Sequence, residues 1–387
     1  MKKISKLSAI IIILFSACQK NNITSEDKIV NPSNLRRQCA TMEVFAEQLK
    51  ADPALAIRMQ SIENFTTTFE SDKNNFSNLR LVNGMVEIPV VVNVLYRTTA
   101  ENISQAQIQS QIDVLNEDYN ATNTDISKIP AIFSNLKGNY GIRFVLDQVV
   151  RKATTKKSWS TNNAMKKSTQ GGINPTSPTT KLNIWSCTLG GGILGYAQFP
   201  GGASATDGVV ILNTAFGRTG TVSAPYNLGR TATHEVGHWL NLRHIWGDAA
   251  CGDDFCADTP TQASESRGCQ KGRISCGGAN MVENYMDYSD DVCFNIFTRD
   301  QKTRMRTVME VSPRRASLLT SNVCGQLISG KPIPNFEAEN RIVLLGGQVR
   351  FTDLSTSFPT SWQWEFEGGD PATSTEQNPT VIYNTAG

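Results

Sequence analysis

All three histidines of this 387-residue chain fall in one stretch, His234-Glu235-Val236-Gly237-His238-Trp239-Leu240-Asn241-Leu242-Arg243-His244. Three histidines placed at random would reach this spacing on the order of once in ten thousand chains. Residues four apart on a helix lie one above the other, so His234 and His238 direct two imidazoles at one cation. The stretch therefore predicts a helix that carries a metal site.

The remaining residues of the stretch have distinct expected roles. Glu235 lies beside the first ligand and is the candidate general base and proton donor. His244 cannot be reached by a straight helix from His238, so the chain must turn sharply near Asn241, a residue type that tolerates positive φ nearly as well as glycine. We expect the helix to span about residues 228–241.

The stretch resembles the metzincin endopeptidases, whose signature is H-E-x-x-H-x-x-G-x-x-H followed by a methionine-containing turn. Asn241 stands where that signature has glycine. Downstream, Asn284-Tyr285-Met286-Asp287-Tyr288-Ser289-Asp290-Asp291-Val292-Cys293 resembles the Met-turn of the pappalysin/cytophagalysin family. The resemblance implies that the three histidines bind zinc, that Met286 forms an apolar floor beneath the metal, and that Tyr288 stabilises the tetrahedral intermediate.

The resemblance extends over roughly residues 86–324 and implies an α/β metzincin domain with a twisted mixed sheet and an active-site helix, which we place at residues 85–324. Apolar runs predict strands near 86–96, 141–146, 182–187, 194–199 and 207–212, and Ser104 with Gln107 predicts a helix start. By resemblance, Gly195, Tyr196 and Ala197 belong to the edge strand that pairs antiparallel with an extended substrate.

Asp291 lies five residues after Met286 and resembles the acid at the base of the primed-side pocket in pappalysin-like enzymes. A carboxylate there can accept a bidentate guanidinium, which implies cleavage on the amino side of Arg or Lys. The alternative is an aspartate that caps a helix or binds calcium.

The stretch between the third histidine and the Met-turn is rich in cysteines and acids. Asp254, Asp258 and Thr259 offer the hard oxygen ligands that calcium takes, and a solvated acidic loop is the alternative. Cysteines of an exported protein favour disulfides over a second zinc site. The resemblance implies the pairs Cys251 with Cys276 and Cys269 with Cys293, and Cys187 could then pair with Cys256.

Residues 1–18 read as a signal peptide, with lysines, an apolar stretch and small residues before Cys18. The end of this segment resembles a bacterial lipobox, in which Cys18 would be lipidated, and ordinary secretion is the alternative. Either way the protein is exported, to the bacterial cell surface or outer membrane or into the medium. Residues 19–84 suit a propeptide or stalk. Cys39 follows a pattern that resembles pappalysin-like zymogens, where a thiolate caps the zinc. A disulfide from Cys39 to Cys324 is the competing interpretation.

Residues 325–332 read as a linker, and residues 333–387 alternate apolar and polar residues with turns between them. This part resembles a polycystic-kidney-disease-type (PKD) immunoglobulin-like domain, an all-β sandwich, and we expect it to be incomplete. Trp362 and Trp364 lie on one strand face, which favours core packing over a sugar-binding platform.

The net charge of +2 and pI near 8.0 argue against nucleic acid as a partner. We expect protein or peptide substrates, and membrane contact only through an N-terminal lipid anchor. The resemblance implies a zinc-dependent endopeptidase. A thermolysin-like peptidase is disfavoured by His244 and the Met-turn, and a zinc-containing, non-catalytic adhesin is the alternative of another class, against which Glu235 speaks.

Overall fold

The computed structural model describes residues 37–71, 85–139, 141–311, 315, 317–320, 334, 336–340, 342–353 and 361–385. The signal segment with Cys18, the linker 325–332 and Cys324 lie outside the described residues. Within those ranges, none of the helices combines the length and the apolar character that crossing a bilayer requires.

A five-stranded mixed sheet organises the part of the chain that resembles a metzincin. Its spatial order is β2-β1-β3-β5-β4; the first four strands in this order are parallel, and β4 is antiparallel to β5. The strands are β1 (Val86–Tyr96), β2 (Ile142–Ala153), β3 (Leu182–Cys187), β4 (Gly195–Ala197) and β5 (Val209–Leu212). The mixed α/β class is confirmed, although β2 is longer than predicted and β4 shorter.

Five α-helices accompany the sheet: α1 (Thr41–Ala51), α2 (Ala54–Ser71), α3 (Gln105–Tyr119), α4 (Arg230–Trp239) and α5 (Arg299–Val311). The main core contains apolar side chains of β1, β3, β5, α3 and α4. The predicted start of α3 is present, since the Ser104 hydroxyl accepts from the Gln107 backbone N–H at 3.1 Å. The Gln107 side chain donates to the Phe216 carbonyl and not back toward Ser104, so only the Ser104 half of the expected capping box is formed.

The metal-binding helix α4 is shorter at both ends than the predicted 228–241. Its start is displaced because Gly229 has a left-handed φ of 78°. The Asp291 carboxylate then accepts from the backbone N–H groups of Leu228 at 2.8 Å and Arg230 at 3.3 Å. A side chain distant in sequence therefore caps this helix, so the sequence around residue 230 does not predict the cap.

Strand β4 is the edge of the sheet, as predicted, and chain from the N-terminal segment lies along its outer side. Cys39 pairs with Gly195 in a parallel bridge. Leu194 N–H donates to the Gln38 carbonyl and Ala40 N–H to the Gly195 carbonyl, both at 3.0 Å. Beyond this contact α1 and α2 follow, and α2 packs against α5.

The C-terminal region consists of short antiparallel strands. They form a four-stranded sheet ordered β11-β13-β9-β8 and a pair β10-β12. Their bounds are β8 (Phe336–Ala338), β9 (Gly347–Asp353), β10 (Trp364–Glu365), β11 (Gly369–Asp370), β12 (Thr373–Ser374) and β13 (Thr380–Tyr383); the hairpin β6 (Ile274–Ser275) and β7 (Gly278–Ala279) lies earlier in the chain. Trp364 packs against Phe351 and Phe366, as expected for a core residue.

Candidate metal centre and substrate cleft

The three imidazoles converge on one point. The Nε2 atom of His238 lies 3.1 Å from Nε2 of His234 and 3.1 Å from Nε2 of His244. All three side chains are buried, and burial lowers the pKa of His234 and of His238 well below the usual value. Neutral imidazoles are the form that binds a metal.

Each imidazole is oriented through its other nitrogen. Nδ1 of His234 lies 2.7 Å from the Tyr285 carbonyl, and Nδ1 of His238 lies 2.8 Å from the Leu242 carbonyl. Nδ1 of His244 lies 2.6 Å from a carboxylate oxygen of Asp248. Because acceptors hold the protons on the Nδ1 atoms, all three Nε2 lone pairs face one another. Such an arrangement is repulsive without a cation, so these residues fit a zinc ion.

The turn to the third histidine occurs where it was predicted. Asn241 has a left-handed φ of 77°. Leu242 N–H donates to the Gly237 carbonyl and Asn241 N–H to the His238 carbonyl, both at 2.9 Å. These two bonds form a Schellman motif, which ends α4 and sends the chain back toward His244.

Met286 lies against the back of α4, at Gly237. A Cβ atom added to Gly237 would be 2.6 Å from the Met286 sulfur, so any larger residue here would displace the methionine. Ile245 N–H donates to the Met286 carbonyl at 3.2 Å. Met286 thus packs beneath the histidines and ties the Met-turn to the segment that carries His244.

Glu235 lies between the metal centre and the edge strand. Burial raises its pKa to about 7. A Cβ atom on Gly195 would lie 2.9 Å from Cγ of Glu235, so only glycine lets β4 approach the carboxylate this closely. The arrangement places a proton-accepting group directly beside the strand that an extended peptide would pair with.

The Cys39 thiol points at the same centre. Its Sγ and one ligand nitrogen from each of the three histidines all lie within 4.8 Å of one another. It is a buried free thiol that contacts the Glu235 carboxylate at 3.4 Å. Burial, together with the Glu235 charge, raises the pKa of Cys39, while a zinc ion would favour the thiolate. Thr41 donates to Glu235 at 2.9 Å, so the N-terminal segment also binds the candidate base.

Tyr288 stands beside the metal centre. Its ring centroid is 5.0 Å from that of His244 and 5.8 Å from that of His234. The hydroxyl donates to the Cys39 carbonyl at 3.1 Å. A phenol O–H that binds a main-chain carbonyl in this position can bind a substrate carbonyl in the same way.

Asp291 forms the floor of a pocket that Arg37 fills. The Arg37 guanidinium is paired with Oδ1 of Asp291 and donates to the Ser289 carbonyl at 3.0 Å. It lies between the rings of Tyr226, at 5.0 Å, and Phe294, at 4.8 Å. Asp291 therefore combines two of the roles predicted for it: Oδ2 caps the N-terminus of α4, and Oδ1 binds an arginine.

A buried polar network that the sequence analysis missed supports the ligands from behind. The Arg230 guanidinium is paired with Asp118 at 3.1 Å and Asp125 at 3.0 Å. Asp118 also accepts from the Tyr285 hydroxyl at 2.8 Å and the Thr233 hydroxyl at 2.7 Å. Since the Tyr285 carbonyl orients His234, this network links α3 and α4 to the Met-turn. In the local sequence this network is indicated only by the ionisable residues of α3. Such residues are equally typical of an ordinary solvent-exposed helix face.

The acidic loop holds two carboxylates with unsatisfied buried oxygens, Oδ2 of Asp254 and Oδ1 of Asp258. Burial raises the pKa of Asp254 to about 7. The Thr259 hydroxyl donates to Asp254 at 2.7 Å. Asp258 and Asp300 are joined by two hydrogen bonds of 3.1 Å, in each of which the backbone N–H of one residue donates to the carboxylate of the other.

The disulfides Cys251–Cys276 and Cys269–Cys293 are the pairs that the resemblance implies. The pairing of Cys187 with Cys256 is wrong. Cys187 is a buried free thiol at the end of β3, packed with a cluster of apolar side chains that includes Trp185 and Leu212.

The comparisons with known proteins agree with this site. The family model described as pregnancy-associated plasma protein-A, Peptidase_M43, matches residues 187–310. Extracellular metalloprotease 1 of Coccidioides posadasii (strain C735) is 36% identical over 238 residues, which make up 58% of this chain and 76% of the relative.

Two solved structures are also similar. Mature mirolysin of Tannerella forsythia, in complex with a cleaved peptide, is 43% identical with a TM-score of 0.59; the match covers 61% of this chain and 96% of that one. A promirolysin variant from the same organism is 38% identical with a TM-score of 0.65, and the match covers 74% of this chain and 97% of that one.

Proposed function

The chain belongs to the pregnancy-associated plasma protein-A family of peptidases, Peptidase_M43, and is a metalloendopeptidase; from that premise we propose that it is an exported zinc enzyme that cleaves proteins before Arg or Lys. The observation that carries the proposal is the pairing of Arg37 with Asp291 in a closed pocket next to the metal centre. The alternative of a zinc-containing, non-catalytic adhesin is disfavoured because the chain is a metalloendopeptidase.

The catalytic roles follow from position. His234, His238 and His244 would hold the zinc ion, which supplies Lewis-acid polarisation of the scissile carbonyl and activation of water. Glu235 takes the proton from the attacking water and later gives it to the leaving amine, a task suited to a carboxylate whose pKa is about 7. The Tyr288 hydroxyl donates to the oxygen that becomes negative as the carbonyl is attacked.

The direction of the N-terminal segment supports the assignment of the primed-side pocket. A substrate antiparallel to β4 has its residues after the scissile bond toward the Leu194 end of that strand. The N-terminal segment runs parallel to β4, so its earlier residue, Arg37, lies at that same end. Arg37 thus occupies the place of a basic side chain that follows the scissile bond.

Burial of the Asp291 carboxylate favours a basic side chain, Arg or Lys, in this pocket. An apolar guest would leave its Oδ1 without a partner, at a cost of about 1–3 kcal/mol. A guanidinium between two rings gains cation–π attraction as well.

Cleavage-site profiling of a peptide library tests this specificity. We expect Arg and Lys to be strongly enriched directly after the scissile bond, and the enrichment to fall in Asp291→Asn, which keeps an acceptor for the N-terminus of α4. Asp290→Asn, one residue earlier, is the matched control and should keep the profile. No enrichment in the wild type, or an unchanged profile in both Asp291→Asn and Asp291→Ala, would remove Asp291 from the specificity pocket.

The N-terminal segment has the features of a propeptide, and we assign residues 19–84 to one. The similarity to promirolysin and the position of Cys39 at the metal centre support this assignment. A thiolate in the open coordination position, with Thr41 bound to Glu235, would exclude both water and substrate.

Calcium at the acidic loop is a further part of the proposal. The unsatisfied buried oxygens of Asp254 and Asp258 support it, because a buried carboxylate oxygen without a donor is costly unless a cation binds it. Millimolar calcium, added to zinc-loaded protein, should raise its Tm, and should do so less in Asp254→Asn. An equal rise in both proteins would argue for the solvated loop.

Export is supported by relatives that are named extracellular metalloproteases. The anchor at Cys18 is tested by metabolic labelling with a fatty acid in a bacterial host, with Cys18→Ser as control. The β-strands of the C-terminal region support a PKD-type immunoglobulin-like domain at residues 333–387.

A further inference from the structure

Two arginines of the catalytic domain lie at the far end of the cleft from Asp291. The Arg243 guanidinium is 4.6 Å from the centroid of the Phe199 ring and 5.5 Å from that of Phe45, which belongs to α1. Arg304 donates through Nε to the Asn241 carbonyl at 2.8 Å. Phe199 in turn contacts the ligand His238, with ring centroids 5.5 Å apart. The Arg243 guanidinium thus lies one aromatic ring away from the metal centre.

The ion-pair partner of Arg304 comes from the N-terminal segment. The Glu63 carboxylate on α2 is paired with Nη2 of Arg304, and the same oxygen accepts from the Asn241 amide at 3.3 Å. Nε of Arg243 is buried and has no hydrogen-bond partner among the described residues.

The position of this cluster relative to the scissile bond follows from the strand directions. Strand β4 runs from Gly195 toward Phe199. An antiparallel substrate therefore has the residues that precede its scissile bond over the Phe199 end. The N-terminal segment reaches that end through α1, where Phe45 packs on Phe199 with centroids 5.2 Å apart.

We propose that Arg243 and Arg304 form a subsite of the processed enzyme that binds an acidic side chain on the amino-terminal side of the scissile bond. This inference rests on the proposed function, because it requires that removal of residues 19–84 takes Glu63 away. The site then keeps two guanidinium groups and the Phe199 ring, and loses the carboxylate that pairs with Arg304. A substrate Glu or Asp supplies the same charge in the same place.

A carboxylate is preferred over its neutral isostere because its negative charge is attracted to both guanidinium groups, whereas an amide offers only a neutral acceptor. We expect roughly a tenfold advantage in kcat/KM for Glu over Gln at the matching substrate position. The advantage should shrink as ionic strength rises, since the emptied site is open to solvent.

Quenched fluorescent peptides test the proposal on the processed enzyme. Each peptide carries Arg after the scissile bond and either Glu or Gln at the second, third or fourth residue before it. We expect a Glu preference at one of these positions in the wild type. It should fall toward unity in Arg243→Gln and in Arg304→Gln, and a Lys peptide should be preferred over a Glu peptide in Arg243→Glu.

Arg97→Gln is the matched control, because this partly exposed arginine pairs with Glu101 of the catalytic domain itself and loses no counter-ion on processing. It should leave the Glu preference unchanged. A Glu-to-Gln ratio near one at every position in the wild type would overturn the proposal. An equal Glu-to-Gln ratio in the wild type, Arg243→Gln, Arg304→Gln and Arg243→Glu would also overturn it.

The same enzyme preparations separate this proposal from the proposed function. Replacing Arg by Ala after the scissile bond tests the Asp291 pocket alone, and its outcome does not depend on residues before the bond. If none of the peptides were cleaved, the proposed specificity would fail. Fluorescence polarisation of the Glu and Gln peptides bound to the processed protein would then decide the subsite, and equal Kd values would reject it.

Discussion

Each ligand histidine uses both ring nitrogens, one toward the metal position and one toward a fixed acceptor. The acceptors differ: the Tyr285 carbonyl, the Leu242 carbonyl and the Asp248 carboxylate. Only the last belongs to an ionisable side chain. At this scale the site is a set of imidazoles whose Nδ1 atoms are held by oxygen atoms, which leaves the three Nε2 atoms to bind a divalent metal.

Glu235→Ala should reduce peptidase turnover by about three orders of magnitude, because the proton acceptor is lost while all three ligands stay. Zinc content, measured by atomic absorption, and Tm should stay close to the wild-type values. Glu117→Ala, on the surface of α3, is the control. More than about a tenth of wild-type turnover in Glu235→Ala would reject the general-base role.

Lys166 gives a residue-level prediction about pH. Its ammonium is buried, and its Nζ donates to the Thr206 carbonyl at 2.8 Å. Burial lowers its pKa to about 7, against about 10.4 in an unfolded chain. Between these values the unfolded state binds more protons, so this residue makes stability rise with pH.

The change that isolates this effect is Lys166→Met. Between pH 7 and pH 9.5 the Tm of the wild type should rise relative to that of Lys166→Met. Lys128→Met, at an exposed lysine, should follow the wild type. Parallel Tm curves for Lys166→Met and the wild type would show that the ammonium stays protonated in the fold.

At the scale of elements, the cleft is formed by the edge strand β4, the helix α4 and the Met-turn. The Arg230–Asp118 network joins α3 and α4, and the Tyr285 hydroxyl attaches the Met-turn to it. On the other side, α2 packs against α5 and contributes Glu63 to the turn that ends α4. The N-terminal helices therefore hold the catalytic domain at a second place, apart from the Cys39 thiol.

Glu63→Gln should weaken the hold of α2 on the catalytic domain, because the buried Arg304 loses its ion-pair partner. We expect the unprocessed protein to show more residual activity and faster self-processing, followed by gel electrophoresis over time. Glu47→Gln is the control, since Glu47 pairs with the exposed Lys50 on α1 and not with the catalytic domain, within the part of the chain that the structure describes. Equal processing rates in the wild type and Glu63→Gln would mean that α2 contributes nothing to latency.

At the scale of the whole molecule, the N-terminal segment follows the cleft in the direction opposite to a substrate. Arg37 pairs with Asp291, Cys39 faces the histidines, and α1 packs on Phe199 at the far end. A peptide that runs in reverse can fill the subsites without placing a scissile carbonyl for attack. Latency and substrate binding thus use the same contacts.

Cys39→Ala should make the unprocessed protein leaky, because water and substrate can then reach the open metal position. Activity of the unprocessed protein toward a small Arg-containing peptide measures this, and Cys187→Ala is the control at another buried thiol. Mass spectrometry that found Cys39 fully disulfide-bonded in the unprocessed protein would exclude the mechanism.

The local sequence was enough for the features that depend on spacing along one element. The i, i+4 pair His234 and His238 and the left-handed residue Asn241 follow from backbone geometry, and the apolar runs of the sheet follow from burial of its strands on both faces. The resemblance supplied the disulfide pairs and the importance of Asp291. These features depend only on short-range periodicity or on a known motif, so they can be predicted from the sequence.

Only the tertiary structure decided how distant segments meet. Asp291 caps α4 and binds Arg37 at once, Asp118 supports the Met-turn through Tyr285, and Glu63 serves as counter-ion to the arginines near Asn241. Each of these contacts joins residues more than sixty positions apart. Packing and the cost of burying an unpaired charge determine which residues pair in these contacts. Neither factor can be predicted from the neighbouring residues in the sequence.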